Sequence, residues 1–152
     1  MRLYRHHAWR AALVFGADSI NMENENLLLK HHTLWLILGW VWIVLVIYLS
    51  LAPHPPEIQM DSGDKIGHLL AYGFLMLWFA QLYRTHPTKN AIAIGLIGLG
   101  IAIEIAQEQT GYRHFELADI GADGIGVGIG LLLSLTPLRE GLRLAERIVM
   151  NR

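Results

Sequence analysis

Four long apolar segments alternate with short polar connections along the 152-residue chain. The first, Leu34 to Leu51, contains no charged residue and approaches the roughly 20 residues that cross the hydrocarbon core of a bilayer. The other three cover Ile66 to Tyr83, Ala91 to Gln107, and Gly124 to Leu138, and the preceding ADIGAD lengthens the last one. This pattern predicts an all-α polytopic membrane protein whose four transmembrane helices form a bundle.

The flanking residues divide the chain into a membrane domain, 34–138, and two tails. The N-terminal tail, 1–33, contains only the short apolar stretch AALVFGA, which is too short for a secretory signal. We interpret it as cytoplasmic, and translation from Met22 would leave a compact four-helix protein. The C-terminal tail, 139–152, has arginines every four residues opposite an apolar face. That pattern is typical of a helix on an anionic membrane surface, and a solvated helix end is the alternative.

Basic residues are distributed unevenly between the two sides of a four-span bundle. One side keeps only Lys65 and Arg113. Because basic residues accumulate on the cytoplasmic side, the asymmetry predicts that both termini are cytoplasmic. In a bacterium this is a multi-pass protein of the inner membrane. The ten basic residues on the predicted cytoplasmic side are Arg2, Arg5, Arg10, Lys30, Arg84, Lys89, Arg139, Arg143, Arg147 and Arg152.

Composition excludes several other classes of protein. Charged residues make up 16% of the chain, below the roughly 25% of soluble domains, while hydrophobic residues make up 53%. The net charge of -1 argues against a nucleic-acid partner. The absence of cysteine removes disulfides, thiolate metal sites and cysteine nucleophiles.

Polar residues concentrate at the outward ends of the second, third and fourth segments. Polar groups at membrane depth are costly, so they indicate a functional site by default. The layer could act as an acid/base site, a site for a charged head group, or a cation site. No HExxH or similar pair is present, so we assign no metal ligand and no other cofactor. The candidate residues are Asp64, Lys65, His68, Tyr72, Glu104, Gln107, Arg113, Glu116, Asp119 and Asp123.

Depth and spacing suggest partners within this layer. Glu104 follows thirteen uncharged residues, so it should be paired or protonated, and Arg113 is the predicted counter-ion. Asp119 is a plausible N-cap of the fourth helix. His68 can stay neutral without a partner. A structural ion pair that fixes helix packing is the alternative to a functional site.

Every second residue in the first part of the last apolar segment is a glycine. Residues 124, 126, 128 and 130 are all glycine and form two GxxxG spacings, which let helices approach closely in lipid. The third helix has a matching small face at Gly95, Gly98 and Ala102. We expect close packing there, with homo-oligomer formation as a further use of these faces.

The motifs SLAP, DKIGHLLAYGFL, EIAQ and RHFELADIGADGIGVGIG occur in this order between Ser50 and Leu133. In this order they resemble the VanZ-like membrane protein family. Members usually have asparagine where this chain has Asp123, so this chain carries an additional acid. The namesake is linked to teicoplanin resistance, which implies an envelope-related role without supplying a reaction. The family pattern corresponds to Asp64, Lys65, His68, Tyr72, Glu104, Gln107, Arg113 and Asp119.

Three functions remain open. The first is an enzyme or lipid-handling protein for an envelope amphiphile, a lipid or lipid-linked precursor, at the outer leaflet. Lys65 and Arg113 would grip an anionic head group, while His68 with Asp64 or Glu104 would act as acid and base. The second is a non-catalytic scaffold or binding protein in envelope maintenance or glycopeptide tolerance. The third is a metal-dependent intramembrane hydrolase, for which one histidine on the outward helices is a poor ligand set.

Overall fold

The computed structural model describes residues 29–53 and 63–149. Contacts divide the chain into two compact units, Met1–Lys30 and His31–Arg152, and every helix described here belongs to the second. The predictions for residues 1–28, including a start at Met22, lie outside the described residues.

The described part of the chain is entirely helical, with no strand, as the sequence predicts. A bend separates the fourth long helix from a short 3-10 helix and a final short helix. The elements are α1 (His32–Leu51), α2 (Gly63–Leu82), α3 (His86–Gln109), α4 (Leu117–Leu133), the 3-10 helix Pro137–Glu140 and α5 (Gly141–Val149).

Among the helices of residues 29–53 and 63–149, two are long and apolar enough to span a membrane by length and composition, namely α1 and α3. The 17-residue α4 qualifies only if it forms one broken span with the segment that follows it, across a bend of 80°. In α1, Ile37, Val44 and Tyr48 are 55%, 63% and 69% exposed. Soluble monomers rarely expose contiguous apolar surface of this kind, so these side chains suit contact with lipid.

Helix boundaries differ from the sequence prediction mainly in α4. The helix begins at Leu117 and ends at Leu133, whereas the predicted span continued to Leu138. Pro137 begins the following 3-10 helix, and proline lacks the N–H that a continuing helix requires. The Thr136 side chain instead accepts a hydrogen bond from the Leu138 N–H, which caps the new helix.

Glycines bring α2 and α4 into backbone contact. A Cβ on Gly126 would overlap the Leu69 carbonyl, and one on Gly130 would overlap the Gly73 carbonyl. One on Gly73 would in turn lie 3.2 Å from the Gly126 carbonyl. Of the two GxxxG spacings, 126–130 is therefore the one that packs.

The predicted small face on α3 is not part of this contact. A Cβ added at Gly95, Gly98, Gly124 or Gly128 would meet nothing within 4 Å. These four glycines face open space. On α4, the face that contacts α2 is the one with Gly126 and Gly130. The expected match between the glycines of α3 and α4 is wrong in this respect.

Polar contacts fix α5 beneath the opposite end of the bundle. Gln81 Oε1 accepts from the Leu142 N–H at 2.8 Å, and Leu142 is buried. Glu146 Oε1 accepts from both the His31 N–H and Trp35 Nε1, each at 2.8 Å. The C-terminal helix is thereby attached to the start of α1 and the end of α2.

Candidate functional site

Three helix termini meet at one end of the bundle, where α2 begins, α3 ends and α4 begins. Close packing of α2 on α4 sets their first turns side by side. The predicted polar residues gather here, and the contacts described below link all of them except Gln107. His68, Tyr72, Glu104, Gln107, Asp119 and Asp123 are buried, while Asp64, Lys65, Arg113 and Glu116 are exposed or half-buried.

A buried histidine–aspartate pair lies at the α2–α4 interface. His68 Nδ1 is 2.9 Å from Asp123 Oδ1, and the two residues are only 8% and 1% exposed. The ring of Tyr72, one turn along α2, stacks on the imidazole at a centroid distance of 6.4 Å. His68 therefore has a partner, Asp123, which the sequence did not assign to it. The hydrogen bond between Nδ1 and Asp123 fixes the orientation of the ring. Nε2 is then the nitrogen available to exchange a proton or to bind a ligand.

Glu104 is fully buried and its partner is backbone, not arginine. Its Oε2 accepts from the Glu116 N–H at 3.0 Å, at the position that caps α4. A carboxylate at a helix N-terminus also interacts favourably with the helix dipole. The predicted Glu104–Arg113 pair is thus not formed. Asp119 is not the N-cap, because α4 begins two residues before it and Glu104 supplies the cap from α3.

Two ion pairs form the exposed rim of the site. Arg113 Nη2 lies 2.9 Å from Asp64 Oδ2, which joins the α3–α4 connection to the first turn of α2. Lys65 Nζ lies 2.7 Å from Glu116 Oε2 and 3.5 Å from Asp119 Oδ1. The only two basic residues predicted for this side are therefore both engaged by carboxylates.

The predicted binding residue Gln107 has a packing contact instead. Its Nε2 donates to the Ser50 carbonyl at 2.8 Å, and Tyr112 Oη donates to the Leu51 carbonyl at the same distance. Both bonds satisfy carbonyls at the end of α1, where a helix leaves its last acceptors unpaired. Tyr112 was not among the residues that the sequence indicated. Its only signal in the sequence was a tyrosine hydroxyl just beyond the end of a predicted helix.

Gly100 is a second residue that the sequence analysis missed. A Cβ at this position would overlap Asp123 Oδ2 and would lie 3.3 Å from Tyr72 Oη. The absent side chain makes room for Asp123 against α3. Its signal is the alignment of Gly100 one turn before Glu104, on the same helix face.

Several buried acceptors in this layer have no hydrogen-bond partner among the described residues. Burying a polar atom without a partner costs free energy, so such atoms call for an explanation. Three of the four belong to carboxylates. The atoms are Tyr72 Oη, Glu104 Oε1, Asp119 Oδ1 and Asp123 Oδ2.

Asp64, His68 and Asp119 form a compact group within this layer. Each offers one ligand atom, and these three atoms lie within 4.8 Å of one another. His68 and Asp119 are buried, whereas Asp64 is exposed at the rim. Asp64 and His68 lie four residues apart on α2, whereas Asp119 comes from the first turn of α4, so spacing within one helix indicates two members of the group but not the third.

No family model matches the chain. The uncharacterized protein C11E3.10 of Schizosaccharomyces pombe is 31% identical to it over 99 residues, which cover 62% of this chain. The match spans 60% of the length of that curated relative. No solved structure matches the chain. Because this relative is itself uncharacterized, the similarity does not indicate an activity for this chain.

Proposed function

We propose that this chain is a VanZ-like protein of the bacterial inner membrane with four spans, both termini in the cytoplasm and the polar layer facing outward. There it would bind and modify the head group of an envelope amphiphile, a lipid or a lipid-linked precursor. The observation that carries the proposal is the buried His68–Asp123 pair beneath an exposed rim of Lys65 and Arg113. The order of the family-like motifs supports the same assignment.

In this proposal His68 transfers protons to and from the head group. Histidine titrates near neutral pH, and the hydrogen bond at Nδ1 orients Nε2 as the reactive atom. Asp64 suits the second acid/base role better than Glu104. Its carboxylate is exposed at the rim, whereas Glu104 is buried and caps α4.

Lys65 and Arg113 would bind the anionic part of the head group. Each now faces a carboxylate at the protein surface. Exposed ion pairs of this kind contribute little to stability, so a phosphate can displace a carboxylate at little cost. A planar guanidinium also binds two phosphate oxygens at once, which favours Arg113 as the anchor.

The test is turnover of labelled lipid by the purified protein in lipid nanodiscs. Labelled phosphatidylglycerol and a labelled lipid-linked wall precursor are the two substrates to compare. We expect a product from one of them, at least about 100-fold less with His68→Ala, in line with removal of a general acid/base. The matched control is His114→Ala, an exposed histidine at the same end of the bundle, which should retain full turnover. Equal turnover by both variants would contradict the proposal.

A non-catalytic scaffold is the second candidate, and specific contacts favour it. Gln107 and Tyr112 bind the end of α1, and Glu104 caps α4, so part of the polar layer serves to join helices. The two functions differ in how variants fail. For a scaffold, envelope phenotype and protein abundance fall together in an alanine scan of the ten polar positions. For an enzyme, His68→Ala removes the phenotype even when expression is raised until its folded protein matches the abundance of His114→Ala.

A further inference from the structure

The excess of carboxylates at the outward end of the bundle calls for a cation. Five acids belong to the linked layer, and two basic side chains accompany them, which leaves three negative charges if all five acids are ionised and His68 is neutral. The exposed ion pairs of Lys65 and Arg113 do not satisfy all the buried oxygens. Asp123 Oδ2 and Glu104 Oε1 have no hydrogen-bond partner among the described residues. The acids are Asp64, Glu104, Glu116, Asp119 and Asp123.

Among these groups, three ligand atoms already converge. The atoms offered by Asp64, His68 and Asp119 lie within 4.8 Å of one another. Two ligands about 2.1 Å from one metal ion can be at most about 4.2 Å apart, so movements of less than about 1 Å would complete the site. Asp64 is exposed and its Oδ2 binds Arg113, which leaves Oδ1 for an ion.

Two further observations point to a ligand at this position. Asp119 is 3% exposed, and its buried Oδ1 forms no hydrogen bond among the described residues and has only Lys65 Nζ nearby, at 3.5 Å. Asp123 holds His68 through Nδ1, which is how a carboxylate commonly orients a histidine whose other nitrogen binds a metal. The dyad therefore has the arrangement of a ligand and its supporting group.

The geometry points to a site for a divalent transition-metal ion, bound by Asp64, His68 and Asp119, with Asp123 as a positioning residue for His68. One imidazole nitrogen with two carboxylate oxygens suits Zn²⁺ or Mn²⁺ better than Mg²⁺ or Ca²⁺, which favour ligand sets made of oxygen. Three protein ligands leave positions open for water or a phosphate oxygen. The inference rests on the proposed function and changes one part of it: with an ion bound, His68 and Asp64 would be ligands, and the proton transfer assigned to them would pass to a water held by the ion.

The test measures metal binding by the full chain, purified in detergent and stripped with a chelator. Zn²⁺, Mn²⁺ and Mg²⁺ are titrated separately, and bound metal per chain and the Tm are recorded. We expect one saturable Zn²⁺ or Mn²⁺ ion per chain and a rise in Tm, with Mg²⁺ much weaker. Asp123→Asn should weaken affinity by about 10–100-fold, as expected for an outer-shell group, and His68→Ala should weaken it further.

Asp64 provides a variant that leaves the buried core intact. Asp64→Asn removes a ligand at the exposed rim, so helicity and Tm without metal should stay unchanged while metal affinity is lost. The matched control is Arg113→Ala, which breaks the same ion pair but keeps the ligand, and should bind metal at least as tightly as the wild type. Absence of saturable binding by the wild type, or equal binding by Asp64→Asn, would overturn the inference.

Failure of the metal site and failure of the proposed function give different results. Bound metal without lipid turnover would support the site and contradict the enzymatic proposal. Lipid turnover by a protein that shows no saturable metal binding would support the enzymatic proposal and overturn the metal site.

Discussion

His68 of α2 and Asp123 of α4 face each other at 2.9 Å across an interface that glycines make narrow. Asp123, Gly126 and Gly130 lie on one face of α4, at helical spacings of three and four residues. The two glycines bring the α4 backbone against α2, and Asp123 on the same face then reaches the imidazole. Backbone packing and site geometry are thus set by the same helix face.

We predict that His68 and Asp123 are energetically coupled. Removing one member of a buried pair strands the other, which typically costs about 3–5 kcal/mol. His68→Ala and Asp123→Ala should each lower stability, and the double variant should cost less than the sum by at least about 1 kcal/mol. A double-mutant cycle on unfolding in detergent measures this coupling. Additive effects within about 0.5 kcal/mol would show that the two side chains do not interact.

The same cycle applied to Glu104 and Arg113 serves as the comparison. The two residues are close in sequence, but they bind different partners, the Glu116 N–H and Asp64. Their effects should therefore be additive. Arg113→Ala should cost at most about 1 kcal/mol, because its ion pair with Asp64 is exposed at the rim.

The glycines of α4 provide a test of the helix packing. Gly126→Ala places a methyl group against the Leu69 carbonyl, which should destabilise the protein by about 1–3 kcal/mol, as overpacking does. Gly128→Ala adds the same methyl group where nothing lies within 4 Å. That control should be neutral or stabilising, because alanine favours helix more than glycine does. Thermal unfolding in one detergent compares them, and equal loss of stability would contradict the observed orientation of α4.

Gly100 provides a test of the space around Asp123. Gly100→Ala should push Asp123 Oδ2 away from α3 and disturb its bond to His68, which lowers stability and removes activity or metal binding at the site. Gly98→Ala, on the same helix with nothing within 4 Å, is the control. The two variants are compared by Tm and by the binding assay. Wild-type behaviour of Gly100→Ala would mean that Asp123 has more room than the structure indicates.

Local patterns were sufficient to predict the four long helices, and they indicated the polar residues that the structure brings together where α2 begins, α3 ends and α4 begins, with Gln107 as the exception. Apolar length identifies α1 to α4, and the spacing of four residues predicts that Asp64 and His68 share a face. These properties depend on residues that are neighbours along one helix. They do not require knowledge of how the helices pack.

Partners across helices could not be predicted in this way. Arg113 was assigned to Glu104 because they are close in sequence, yet the path of the connection carries Arg113 to Asp64 and the Glu116 N–H to Glu104. The choice between the two GxxxG spacings depends in the same way on which face of α4 meets α2. The sequence contained one signal for the face of α4 that meets α2. Asp123, an acid within the apolar segment, lies on the same helix face as Gly126 and Gly130.

The opposite end of the bundle should respond to acid through Glu140. Partial burial raises the pKa of Glu140, but hydrogen bonds from Arg143 and the charge of Arg84 outweigh it and hold the pKa below its ordinary 4.5. A carboxylate with a lowered pKa stabilises the fold above its unfolded value, and this contribution is lost as the pH falls through the folded value. Since Glu140 lies at the surface, solvent screening keeps the effect modest.

We therefore expect the Tm of the wild type to fall more steeply below pH 4.5 than that of Glu140→Gln. At neutral pH the variant should be the less stable of the two, and the curves should converge in acid. Glu108→Gln, an exposed site at the other end of the bundle, should keep the wild-type acid dependence. Parallel curves for the wild type and Glu140→Gln would exclude a contribution from this ion pair.

Membrane topology separates the four-span proposal from arrangements with fewer spans. Among the described helices, only α1 and α3 are long and apolar enough on their own. The charged rim lies at the starts of α2 and α4 and in the α3–α4 connection. In the structure the basic end, with Arg84, Lys89 and the arginines of α5, is opposite the rim that holds Lys65 and Arg113. By the positive-inside rule we expect the basic end to be cytoplasmic.

With four spans, residues 83–85 and the C-terminus lie in the cytoplasm, while residues 110–116 lie outside. If only α1 and α3 crossed the membrane from a cytoplasmic N-terminus, residues 83–85 would lie outside and residues 110–116 inside. A third span formed by α4 and the segment after it would then carry Arg152 outside. Fusions of paired reporters, one active in the periplasm and one in the cytoplasm, at residue 84, residue 112 and the C-terminus distinguish all three arrangements. We expect cytoplasmic, periplasmic and cytoplasmic signals in that order, and a periplasmic signal at residue 84 would contradict four spans and the outward position of the His68 site.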